Sequence, residues 1–221
     1  MSKKKGFLLR TIGADEKRLK RILQSFDLRS YSTIYGVDIF FKTESKRRRA
    51  KKLISKFVYS SGDPLEVVVG RLLGRKNLTV AVAESCTGGM LGSIITSVSG
   101  SSRYFLGGII AYDNRIKEKV LGVMKVTLIS HGAVSLESGL EMARGVRKRF
   151  GSDLGISITG IAGPTGGTKE KPVGLVYIGL AGIDFDIVDR FHFKGDRYQV
   201  RLKACYHALD LLRRFLIKEL P

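Results

Sequence analysis

From residue 63 to the C-terminus, segments of helical apolar spacing alternate with short apolar runs of strand type. That alternation confines this part of the chain to a layered α/β architecture with a sheet between helices. Residues 65–76 read as a helix, 78–83 as a buried strand, 88–98 as a helix, 104–112 as a strand and 114–121 as a helix. A helix over 136–150, stopped by Gly151, and a strand over 154–157 follow. Residues 173–181 and 185–193 form a hairpin turning near Gly182, and a long closing helix carries the stripe Leu202, Cys205, Leu209, Leu212 and Leu216. A hairpin requires antiparallel pairing, so the expected domain is a three-layer α/β/α unit with a mixed sheet.

The alternation starts at Ser60-Ser61-Gly62-Asp63-Pro64, where Asp63 suits an N-cap and Pro64 the first helical position. Residues 1–62 are different in kind and read as a separate domain. They hold 17 of the 39 Lys and Arg but only 5 of the 20 Asp and Glu, which makes them a basic module. Residues 7–12 are strand-like, Leu19, Ile22, Leu23 and Phe26 recur at helical spacing, and residues 31–43 are β-rich with Gly36 as a turn. Ala50, Leu53, Ile54 and Phe57 form a second helical stripe. The expected fold is a small α+β (βαββα) domain. Its outline resembles KH-type RNA-binding modules, although it has no GxxG loop to clamp a phosphate backbone. The run Lys46, Arg47, Arg48, Arg49, Lys51 and Lys52 either attracts nucleic acid or another acidic partner, or is the solvated face of its helix.

Composition narrows the chemistry. With 43% apolar residues in a chain of 221, residues 63–221 can bury a core of their own, which excludes a disordered class. No apolar run approaches the roughly 20 residues that span a bilayer, and the N-terminus has no cleavable apolar segment. A soluble, cytoplasmic protein with no membrane partner is expected. Cys86 and Cys205 stand outside any CxxC pair, which fits a reducing compartment and small buried residues. His131, His192 and His207 lack HxxxH or HExxH spacing, so neither a metal nor another cofactor is expected. A hydrolase on this chain would need its nucleophile activated by a lysine or tyrosine of lowered pKa.

Three segments carry chemical promise. Residues 83–89, AESCTGG, follow a strand and open a helix, where backbone N–H groups and the macrodipole can hold an anion, or where Ser85 or Thr87 merely caps the helix. Residues 159–168, TGIAGPTGGT, form a glycine-dense loop after a strand. Such a loop is either a nest of N–H groups around a phosphate or carboxylate, or a plain connection. Arg197 and Arg201 begin the last helix, against its macrodipole, so an anion that compensates them is one reading and a solvent-exposed pair the other.

These segments, together with GSS (100–102), Y-x-N-x-x-K (112–117), HGAVS (131–135), TGIAGPTGGTKEKPVG (159–174) and GDR (195–197), occur in the order seen in the CinA C-terminal family, which residues 63–221 resemble throughout. The family includes nicotinamide-mononucleotide deamidases. The resemblance implies hydrolysis of the carboxamide of nicotinamide mononucleotide to nicotinic acid mononucleotide and ammonia, in NAD recycling. It implies Ser102 as nucleophile, with Tyr112 and Lys117 as activating partners. Ser85, Thr87 and Gly88 would lie beside the substrate, Thr159, Gly160, Ala162 and Gly163 along the nucleotide, and Arg197 with Arg201 at the 5′-phosphate. Asp113 and Arg115 depart from the family pattern beside Lys117. Residues 1–62 resemble the KH-type segment of longer CinA proteins. A homo-oligomer acting on a small nucleotide is expected; the alternative is a catalytically weak nucleotide- or partner-binding protein whose basic module contacts nucleic acid.

Overall fold

The computed structural model describes residues 6–220, which fall into two compact units divided between Val68 and Val69. That division lies inside helix α3 (Leu65–Lys76), further along than the expected boundary after Gly62. The helix spans the expected residues 65–76, with the Pro64 carbonyl accepting from the Val68 N–H at 3.1 Å.

The first unit runs β1 (Phe7–Thr11), α1 (Glu16–Ile22), β2 (Leu28–Ser32), β3 (Val37–Phe41), α2 (Glu44–Leu53) and β4 (Val58–Ser60). Asp15 caps α1 by accepting from Arg18 N, and Thr43 caps α2 by accepting from Lys46 N. The strands form one antiparallel sheet in the order β2-β3-β1-β4, the split βαβ arrangement. Leu9, Ile39 and Phe41 face the helices and pack with Leu19, Ala50 and Ile54. The expected βαββα pattern thus gains a fourth strand. Helix α2 stops at Leu53, which is exposed rather than part of the core stripe, and a single 3-10 turn, Ser55–Phe57, swings Phe57 inward and leads the chain back along β1.

The second unit contains β5 (Val80–Glu84), α4 (Met90–Thr96), β6 (Phe105–Ile110), α5 (Asn114–Leu121), α6 (Lys125–Ser130), α7 (Leu136–Phe150), β7 (Leu154–Gly160), β8 (Leu175–Ala181), β9 (Asp186–His192) and α8 (Arg197–Leu216). The sheet order is β6-β5-β7-β8-β9, parallel across β6, β5 and β7 and antiparallel from β7 to β9. The mixed sheet is therefore as expected. Gly155 and Ser157 meet α7, whose Ala143 carbonyl would lie 2.1 Å from a Cβ on Gly155. By the alternation of a strand, the buried Leu154, Ile156 and Ile158 face the other way, toward α8. Helices thus cover both faces. Helix α6 was not expected from the sequence; its Val126 and Ile129 are exposed, and no side chain caps its start.

Candidate active site

The carboxyl ends of β5, β6 and β7 lie together, because these three strands run parallel. In open α/β sheets this is where ligands bind. Ser85 and Thr87 follow β5, Tyr112 and Lys117 follow β6, and Thr159, Gly160, Ala162 and Gly163 end or follow β7. The first residues of α8 close the group. Arg197 donates from Nη1 to the Gly163 carbonyl at 2.7 Å and from Nη2 to the Tyr112 hydroxyl at 3.2 Å. Arg201 donates from Nη2 to the Thr87 carbonyl at 2.6 Å and passes beside Gly88.

Lys117 is the chemically distinctive member. Its side chain is 1% exposed, and its Nζ donates to the carbonyls of Ala111 (2.8 Å) and Tyr112 (3.2 Å). Burial lowers its pKa from the ordinary lysine value, an effect that Asp113 and then Cys86 oppose. Asp113 also caps α5 and pairs with Arg115 at 3.0 Å. Asp113 and Arg115 thus neutralise each other at the helix start.

Ser85 follows β5, and Lys117 lies beyond the neighbouring β6. Ala83 and Ala111 belong to the core built with α5 and α7, and Ser85 lies two residues beyond Ala83. Its N–H still follows the ladder, donating to Ile158 O at 2.9 Å, so its side chain emerges on the same face of the sheet as Lys117. Ser102 does not. It is exposed in the 3-10 turn Ser101–Arg103, before β6, whereas Tyr112 and Lys117 come after it. A six-residue strand is about 20 Å long at 3.3 Å per residue, so within one chain Ser102 lies across the sheet from its expected partners.

Two further expectations change. The helix start after AESCTGG does not present its N–H groups to a ligand. Glu84, itself 1% exposed, accepts from Gly89 N (3.0 Å), Leu91 N (3.0 Å) and Gly92 N (2.8 Å), so the helix carries a built-in carboxylate, and neither Ser85 nor Thr87 caps it. At α8, Asp196 caps the helix in a capping box with Gln199. Its carboxylate supplies the negative charge that the arginines at this terminus lack, so a bound anion is not required to explain them. In the glycine-dense loop, the Thr159 hydroxyl is committed to Ala133 O at 2.6 Å, and Ile161 N pairs with Leu175 O. Gly163 has φ +82° and sits where a Cβ would come within 2.6 Å of Val173, which brings its carbonyl to Arg197.

The site also holds buried polar atoms that want partners. Thr87 Oγ1 and Arg201 Nε are buried without a hydrogen bond, an arrangement a polar ligand would satisfy. Thiol chemistry is disfavoured, since burial pushes Cys86 up to about 12 and raises Cys205 as well. No cluster among the described residues could hold a metal ion, and no helix among them is long and apolar enough to cross a membrane.

A mixed-sheet α/β protein with a lysine, a serine and two arginines gathered at the carboxyl edge defines the class. Residues 62–216 match the CinA C-terminal domain, and the chain belongs to that family. It is 49% identical over 175 residues to a protein of Thermoanaerobacter sp. (strain X514) named as competence-damage inducible, covering 79% of this chain and 42% of the relative. A CinA-like protein of Kosmotoga olearia is 48% identical over 171 residues, 77% of this chain and 42% of its own length. The chain spans less than half the length of these curated relatives. Among solved structures, a CinA superfamily protein of Klebsiella pneumoniae matches with TM-score 0.68 and 31% identity, over 70% of this chain and 96% of that one. The competence/damage inducible protein CihA of Agrobacterium tumefaciens gives 0.64 and 34%, over 70% and 97%.

Proposed function

We propose that the second unit hydrolyses the carboxamide of nicotinamide mononucleotide, releasing ammonia and nicotinic acid mononucleotide. The observation that carries this reading is the buried Lys117, whose Nζ bonds to the Ala111 carbonyl just past β6, the strand paired with the β5 that Ser85 follows. An amide is a weak electrophile, so attack by a hydroxyl needs a base, and a lysine whose pKa burial lowers gives up its proton more readily and supplies one. Lys117 takes the Ser85 proton as Oγ bonds to the carboxamide carbon. It returns that proton to the departing nitrogen as the C–N bond breaks, leaving an ester on Ser85. Water then attacks the ester as Lys117 accepts one of its protons; Lys117 passes that proton to Ser85 Oγ as the ester C–O bond breaks, and the carboxylic acid formed gives its own proton to solvent. Tyr112, bonded to Arg197, borders the ring, and Arg197 with Arg201 bind the phosphate.

The test is ammonia release from nicotinamide mononucleotide by the purified chain as a function of pH. A base must be neutral, so kcat/KM rises with pH through a pKa below the ordinary lysine value of about 10.4 and then levels off. Lys117→Arg, which stays charged, loses the rate at every pH. Absence of ammonia from the wild-type protein overturns the reading.

A further inference from the structure

The helix layer of the first unit carries a charge that an amide-hydrolysing site does not use. Both α1 and α2 bury one side, through Leu19 and Ala50, against the same core, so their other sides point away from the sheet. Lys17, Arg18, Arg21, Arg49 and Lys52 on these helices, and Lys56 in the 3-10 turn after α2, are exposed. Three of the six are fixed on aromatic rings. The Arg18 guanidinium lies 4.9 Å and the Lys56 ammonium 5.1 Å from the Phe57 ring centroid, and the Arg49 guanidinium lies 5.7 Å from that of Phe26.

These contacts join the start of α1 to the 3-10 turn after α2, and the middle of α2 to the turn after α1, so the cations form one continuous surface. A guanidinium laid flat on a ring keeps the N–H groups at its edge free to donate. The carboxylates nearby are engaged elsewhere, Glu16 with Lys20 and Glu44 with Arg47 and Arg48.

We propose that this face docks double-helical nucleic acid through its phosphates, without reading the bases. A duplex carries about one negative charge per 1.7 Å of axis, and a ten-residue helix such as α2 is about 15 Å long, so several phosphates face the surface at once. Unpaired strands are bound by aromatic rings on which bases stack, and here Phe26 and Phe57 lie beneath cations. Two rings of this unit are exposed, Phe7 at the first position of β1 and Tyr31, and Tyr31 packs edge-on to Phe40 on the side of the sheet away from the helices.

The experiment is fluorescence anisotropy of the full chain with a 20-base-pair duplex, a single strand of the same length and anionic lipid vesicles, over a range of salt. Duplex binding is expected, with log K falling linearly in log salt at a slope of about −4 to −5, near −0.9 per phosphate contacted. The triple variant Arg18→Gln/Arg49→Gln/Lys56→Gln should weaken binding at least tenfold and flatten the slope by about 2 to 3. Lys17→Gln/Lys52→Gln touches no ring, so it keeps the fold, and should flatten the slope by about 2. Tyr31→Ala should change neither. Tighter binding to single strands or to vesicles overturns the proposal, as do salt-independent binding, no duplex binding, or loss through Tyr31→Ala with both glutamine variants unaffected.

Discussion

Replacing Glu84 by Gln should loosen the loop that carries Ser85 and Thr87. The Glu84 carboxylate holds three backbone N–H groups, Gly92 on Oε1 and Gly89 and Leu91 on Oε2. A glutamine has one acceptor oxygen and one donor group, so whichever way its amide turns, at least one N–H is left facing another donor in a buried place. An orphaned donor costs about 1–3 kcal/mol, and the bonds that survive lose their charge assistance, which roughly halves them. The sum is about 2–4 kcal/mol. At about 2–4 °C per kcal/mol for a domain of this size, the melting temperature should fall by about 5–15 °C. Differential scanning calorimetry of the full chain reads it directly, with the transition assigned to the second unit by repeating the scan with saturating nucleotide. A melting temperature within 2 °C of wild type would refute the reasoning, because the carboxylate would then be no more than a space-filling group.

His207 packs against the stacked pair Phe191 and Phe193, at 4.9 and 5.0 Å from their centroids, and burial, with Lys203 adding to it, lowers its pKa to about 4. The unfolded chain binds this proton near pH 6.5, so the contribution is full above that pH and is lost as the pH falls toward 4, amounting to about 3 kcal/mol. In urea titrations at pH 7 and pH 4, His207→Phe should lose about that much less stability than wild type; parallel losses would count against it. Arg197→Ala should weaken nicotinamide mononucleotide binding by about one to two decades and leave nicotinamide riboside nearly unchanged. Equal losses in calorimetry would confine Arg197 to holding Gly163 and Tyr112.

Legibility in the sequence followed the strength of local signals. Helices α5 and α7 lie where expected because each has a side-chain cap, Asp113 or Ser135, and a glycine stop, Gly122 or Gly151. Helix α6 has no side-chain cap and shows apolar residues to solvent, so neither signal marks it. Strand β4 is three residues long and follows Phe57, whose spacing continues the α2 stripe through a 3-10 turn. In the site, the glycine-dense loop and the α8 arginines do meet. The distance between Ser102 and Lys117 was already implied by a strand over 104–112, since the two ends of a strand reach opposite edges of a sheet. Glu84 left no such mark: a carboxylate at a strand end becomes a helix cap only once the chain turns back over it.

The central claim is that Ser85 and Lys117 form the hydrolytic pair at the carboxyl edge of the sheet. Ammonia release from saturating nicotinamide mononucleotide by wild type, Ser85→Ala and Ser102→Ala tests it most directly. Wild type and Ser102→Ala should both turn over, and Ser85→Ala should fall at least a thousandfold, about 4 kcal/mol in barrier, while still binding the nucleotide. A dead Ser102→Ala beside an active Ser85→Ala would contradict the account.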